Sequence, residues 1–169
     1  MKRKKGLLFV LPGFFFLVLG AFLLTGCQST SFYPAGVVAP EERIPLQAGG
    51  ETGTWKSREL SVEYTYVRGT GQTDIAGAVY FADSMKLNFT ILHDFRLSAI
   101  FLDDEGRVLD TQGIATDRNG FDPVPFRNRL AIPAGARSFA FSYQGTAIEG
   151  GGDGGSGGGI TRFWHYPVR

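Results

Sequence analysis

The sequence predicts an all-β domain, an antiparallel β-sandwich of about eight short strands, with a small β-barrel as the alternative. Three observations carry this. Beyond residue 55 the apolar residues recur with period two; Gly, Pro, Asp and Asn clusters punctuate them at short intervals; and no window after residue 54 keeps the i, i+3, i+4, i+7 spacing over the ten or more residues a helix needs. Alternation with frequent turn signals is the pattern of a sandwich or barrel.

Taken in order, residues 59–67 place Leu60, Val62, Tyr64 and Tyr66 on one face and Glu59, Ser61, Glu63 and Thr65 on the other, a half-buried strand. Residues 75–81 keep Ile75, Gly77, Val79 and Phe81 in phase, and residues 86–92 keep Leu87, Phe89 and Ile91 in phase. Residues 95–102 begin alternating and become apolar on both faces, as a central strand does. Asp103-Asp104-Glu105-Gly106 is a turn, and residues 107–110 return as the partner strand. Residues 116–125 read as a loop, 126–132 as a strand, 132–135 as a turn, 138–143 as a strand with Phe139, Phe141 and Tyr143 inward, and 160–166 as the closing strand. Between the last two, residues 150–159 hold eight glycines in ten, a composition whose backbone entropy opposes regular structure. After Cys27 the chain carries 10 Phe, 6 Tyr and 2 Trp, enough large side chains for a core without disulfides.

The formal charge of +1 over 169 residues hides a division. Lys2, Arg3, Lys4 and Lys5 precede a stretch with no acidic residue up to Cys27, whereas residues 27–169 carry 13 basic and 16 acidic side chains, a net charge of −3. A mildly acidic domain argues against nucleic-acid binding, which draws its affinity from clustered Lys and Arg on phosphates. One cysteine makes no intramolecular disulfide and no paired-cysteine zinc site.

Residues 1–26 have the layout of an export signal: a basic start, an 18-residue apolar run from Leu7 to Leu24, then small residues. The length of the run alone leaves an uncleaved spanning helix open. Leu24-Thr25-Gly26-Cys27 resembles the lipobox of bacterial lipoproteins, in which a branched apolar residue, a small residue and Gly or Ala precede the Cys that is modified. The resemblance covers residues 1–28. It implies a diacylglycerol on the Cys27 thiol, recognition of Leu24, Thr25 and Gly26 by the signal peptidase, cleavage before Cys27 and acylation of the new terminus. Two or three acyl chains then anchor the protein in the membrane, at roughly 0.8 kcal/mol per buried methylene. In Gram-negative lipoproteins an Asp after the Cys tends to retain the protein in the inner membrane; Gln28 therefore implies, for a Gram-negative host, an outer-membrane address facing the periplasm. Residues 28–54, rich in Pro and Gly, read as a tether, so the sandwich is expected over 55–169; Val37-Val38 or Ile44-Pro45-Leu46 packing as an edge strand is the alternative.

Candidate chemistry is sparse. Gly154-Gly155-Ser156-Gly157-Gly158 satisfies G-x-S-x-G but lacks the strand before and the helix after that a nucleophile elbow requires. Asp117, Asn119 and Asp122 surround a Gly loosely as a calcium loop does, without its terminal bidentate Glu. Asp103, Asp104 and Glu105 are successive in a tight turn, which does not hold two carboxyl groups across a glycosidic bond. His93 and His165 are the only histidines. The expectation is therefore no catalytic residue, no metal and no cofactor: an envelope lipoprotein acting by binding or structural association with an envelope protein. The alternative is a glycan-binding module, or an enzyme subunit acting on cell-wall or outer-membrane glycans. Stacking on sugar would fall to Trp55, Tyr143, Trp164 and Tyr166, and the exposure of Trp164 and Tyr166 is the discriminator.

Overall fold

The computed structural model describes residues 36–118, 120–149 and 159–169. Among them nine strands form two antiparallel sheets, neither closed into a barrel. One sheet has the order β2 (Glu51–Lys56), β3 (Leu60–Arg68), β4 (Gln72–Phe81), β7 (Val124–Ala131). The other runs β8 (Ser138–Ile148), β5 (Ile91–Leu102), β6 (Val108–Asp117), and the remaining edge of β8 is shared. β1 (Ile44–Pro45) pairs with its start and β9 (Ile160–His165) with its end. The expected sandwich is the architecture found.

Period-two patterning builds the core. Leu60, Val62, Tyr64 and Tyr66 of β3 are all buried, and they meet Phe139, Phe141 and Tyr143 of β8 across the sandwich. Tyr64 lies edge-on to Phe139 and Phe141 with centroids 6.1 and 5.3 Å apart, and Tyr66 edge-on to Phe139 at 5.5 Å. Such arrangements set the positive ring edge against the negative face. The doubly apolar end of β5 has its own explanation: the outward Ile100 and Leu102, with Ala140, lie under a second cluster formed by Val38, Val108, Tyr166 and Val168.

That cluster corrects the expected domain boundary. Residues 36–54 are part of the sandwich rather than a tether, as the edge-strand alternative foresaw. Val38, Ile44 and Leu46 are buried, and Ile44 pairs with Phe139. The Arg43 guanidinium donates to the carbonyls of Val38, Asp104 and Glu105, holding the segment to the β5–β6 turn. Arg68 donates to the Leu46 carbonyl and the Tyr66 hydroxyl to that of Pro45, tying it to the other sheet. Pro and Gly removed the periodic signal here, but the apolar residues between them still gain by burial, and arginines satisfy the carbonyls that no strand covers.

Residues 86–92 are also not one strand. Asp83–Asn88 form a short helix, α1, which buries Met85 and leaves Leu87 85% exposed, and β5 starts only at Ile91. The apparent alternation of Leu87, Phe89 and Ile91 spans two elements. β6 extends to Asp117, into the expected loop. There the two sheets meet at their edges without a continuous ladder: Gln112 donates from Nε2 to the Ala131 carbonyl (2.7 Å) and accepts from the Ala131 N–H (3.1 Å), so its amide stands in for a strand neighbour. The 103–106 turn is as expected, with Asp103 accepting from the N–H groups of Glu105 and Arg107 and Gly106 at φ 86°.

Candidate functional site

At the opposite edge, among the described residues, β1 of the N-terminal segment pairs with the start of β8 and β9 with its end. Trp55 on β2 donates from Nε1 to Glu42 (3.3 Å) and packs on Phe141, Tyr143 and His165 with centroids 5.6, 6.1 and 5.2 Å away. Beyond that plug lies a groove of about 500 Å³ running beside β9. One wall is residues 161–164 of β9, and the other is the β2–β3 turn (Arg58, Glu59) with α1 and the residue that follows it (Ser84, Met85, Asn88, Phe89).

The groove is apolar at its base and charged at its rim. Met85 and Phe163 are buried and Phe89 is half-buried. Trp164, on the outward face of β9, is 68% exposed, and the Arg58 side chain is 93% exposed. Glu59 is held from below: the buried Tyr143 hydroxyl donates to it and lies 3.0 Å from Ser57 Oγ. Burial, reinforced by the Glu59 carboxylate, pushes the Tyr143 hydroxyl well above the ordinary tyrosine range. In Tyr64 burial, with the charge of Glu51 adding, gives about 12. Both phenols are therefore protonated in the folded protein at a pH where the unfolded chain, with tyrosines near 10, has lost those protons. Their contribution to stability is complete below about pH 10 and lost as pH rises through the folded values. Stability is expected to fall steeply above about pH 10, and Tyr143→Phe to flatten that fall, as read from urea midpoints between about pH 8 and 12.

Of the four sequence candidates the structure brings together Trp55 and Tyr143, inside the sandwich, and leaves Trp164 and Tyr166 apart from them. Tyr143 is core, Trp55 is the half-buried plug, Tyr166 packs on the second cluster, and Trp164 alone faces solvent. The row of stacking aromatics expected from Trp55, Tyr143, Trp164 and Tyr166 is therefore replaced by one exposed indole beside a groove. His93 is exposed on β5, whereas His165 packs under Trp55 with Nε2 3.6 Å from Glu42. Among the described residues no group of three His, Cys, Asp or Glu is placed to hold a metal. Leu24, Thr25, Gly26, Cys27, Asn119 and Ser156 lie outside the described residues. Arg58, Glu59, Asn88, Phe89 and Arg162 were not predicted as groove residues, since no motif links positions brought together from three segments.

A second, shallower depression of about 510 Å³ lies on the outer face of β2–β3–β4, where Ala76 and Ala78 sit among Thr52, Thr54, Thr65 and Tyr80. The fold and groove define the class: a two-sheet antiparallel β-sandwich with a groove beside β9. No protein-family model, curated protein or solved structure matches the chain.

Proposed function

We propose that the protein is a lipid-anchored lipoprotein of a bacterial envelope whose sandwich acts by binding. The observation that carries the reading is Leu24-Thr25-Gly26-Cys27 at the end of a basic, then apolar, export signal. Because packed structure begins by Val37, ten residues after Cys27, the chain between them reaches at most about 35 Å, and the domain stands close to the membrane surface. With Gln28 after the lipidated cysteine, that surface is the periplasmic face of the outer membrane in a Gram-negative host. The groove with its exposed Trp164 supports recognition of an envelope partner. One exposed indole also favours a second reading, a glycan-binding module.

The anchor is tested by growing cells on radiolabelled palmitate. The natural chain is expected to be labelled and to sediment with membranes, and Cys27→Ser to lose its label completely. A Cys27→Ser chain that stayed labelled and membrane-bound would overturn the reading.

A further inference from the structure

The main-chain groups of β9 point to the kind of partner. Glu149 N–H donates to the Gly159 carbonyl (3.0 Å), and these two residues are direct cross-strand partners in the register that pairs Ile148 with Ile160. Hydrogen-bonded and non-bonded pairs alternate along an antiparallel ladder. Thr161, Phe163 and His165 therefore bond to β8, while Ile160, Arg162 and Trp164 turn their N–H and C=O groups away from it. Among the described residues no other strand pairs with β9. Three donors and three acceptors thus point away from β8 along this edge, those of Arg162 and Trp164 beside the groove.

We propose that β9 receives an extended strand of a partner polypeptide, with an acidic residue opposite Arg162 and apolar residues on either side of it. Strand addition supplies affinity through main-chain hydrogen bonds and specificity through alternate side chains. A strand laid along β9 points every second side chain inward, over the apolar base formed by Met85, Phe89 and Phe163. The intervening side chains lie beside Ile160, Arg162 and Trp164. Arg162 is exposed and has no ion pair among the described residues, so an acidic side chain opposite it is complemented. A second copy of this chain fits poorly: antiparallel pairing through all three outward residues sets Arg162 against Arg162, and like charges directly opposite are destabilising.

The inference rests on the binding half of the proposed function and is independent of the anchor, which palmitate labelling reports separately. The test uses the full chain in detergent micelles and a capped, fluorescent Val-Thr-Val-Glu-Val-Thr-Val peptide. Binding is expected to slow hydrogen exchange at the amides of Ile160, Arg162 and Trp164. The same peptide with Lys for Glu is expected to bind about two- to five-fold more weakly, an order that Arg162→Glu reverses. N-methylation of the peptide's glutamate, whose amide must reach the Arg162 carbonyl, is expected to abolish binding, whereas N-methylation of the adjacent valines leaves it. Absence of peptide binding, or binding indifferent to the glutamate N-methyl group, overturns the proposal. Protection of β9 by soluble peptidoglycan fragments with none by the peptide also overturns it, while leaving a binding function in place.

Discussion

Phe141→Ala is expected to lower the free energy of unfolding by about 3–5 kcal/mol, a large share of the roughly 5–15 kcal/mol available to a domain of this size. Phe141 is fully buried on β8, in the middle of the aromatic cluster. Its ring centroid lies 5.6 Å from that of Trp55, 5.3 Å from Tyr64 and 5.5 Å from Phe139, so truncation removes the contacts of three partners and opens a cavity between both sheets. Those neighbours belong to backbone ladders that cannot close around the gap. The measurement is urea unfolding, with a lower midpoint at unchanged slope. Trp164→Ala, at an exposed position, should stay within about 0.5 kcal/mol of the natural chain. A loss below about 1 kcal/mol for Phe141→Ala would mean that the two sheets do not share the core described.

Gly77→Ala and Gly113→Ala are expected to differ in sign. Gly77 lies in β4 between Tyr64 of β3 and Phe126 of β7. A methyl group there collides with the Glu63 carbonyl oxygen and comes within 2.9 Å of the Phe126 ring. The carbonyl belongs to the neighbouring strand and the ring is buried, so relief requires distorting the sheet, at about 1–3 kcal/mol. At Gly113 in β6 an added Cβ meets nothing within 4 Å, and no positive φ is required. Replacement there restricts only the unfolded chain and stabilises by about 0.4–1 kcal/mol. Thermal midpoints of the two variants check this: the first should melt below the natural chain and the second slightly above it.

Legibility of the fold in the sequence followed local repetition. In β3 four inward and four outward residues alternate without interruption, and the whole strand was readable because each position reports the same environment. In β5 the run apolar on both faces correctly marked a central strand, although what covers the outer face, Val38 and Val168 from distant parts of the chain, was not visible. Where the physics is tertiary the reading failed. Residues 36–54 fold because Arg43, Arg68 and Tyr66 reach their carbonyls, and nothing in a Pro- and Gly-rich segment announces those partners. At 86–92 three apolar residues fell in phase across a helix and a strand, and seven residues are too few to separate one period from the other.

The groove was least legible. Trp164 was singled out for its chemistry, but its exposure depends on the phase of β9, and the opposite wall is built from a turn and a helix some seventy-five or more residues earlier. Tyr143 and Trp55, equally suitable by type, are committed to the core. Residue type indicates what a side chain is able to bind; only the register decides which side chains face a ligand.

The proposed lipid anchor at Cys27 is measured directly by intact mass spectrometry of the protein extracted from membranes. The expected mass is that of a chain beginning at Cys27 plus a thioether-linked diacylglycerol and an amide-linked acyl chain. A chain retaining Met1, or one cleaved elsewhere with an unmodified Cys27 thiol, would contradict it.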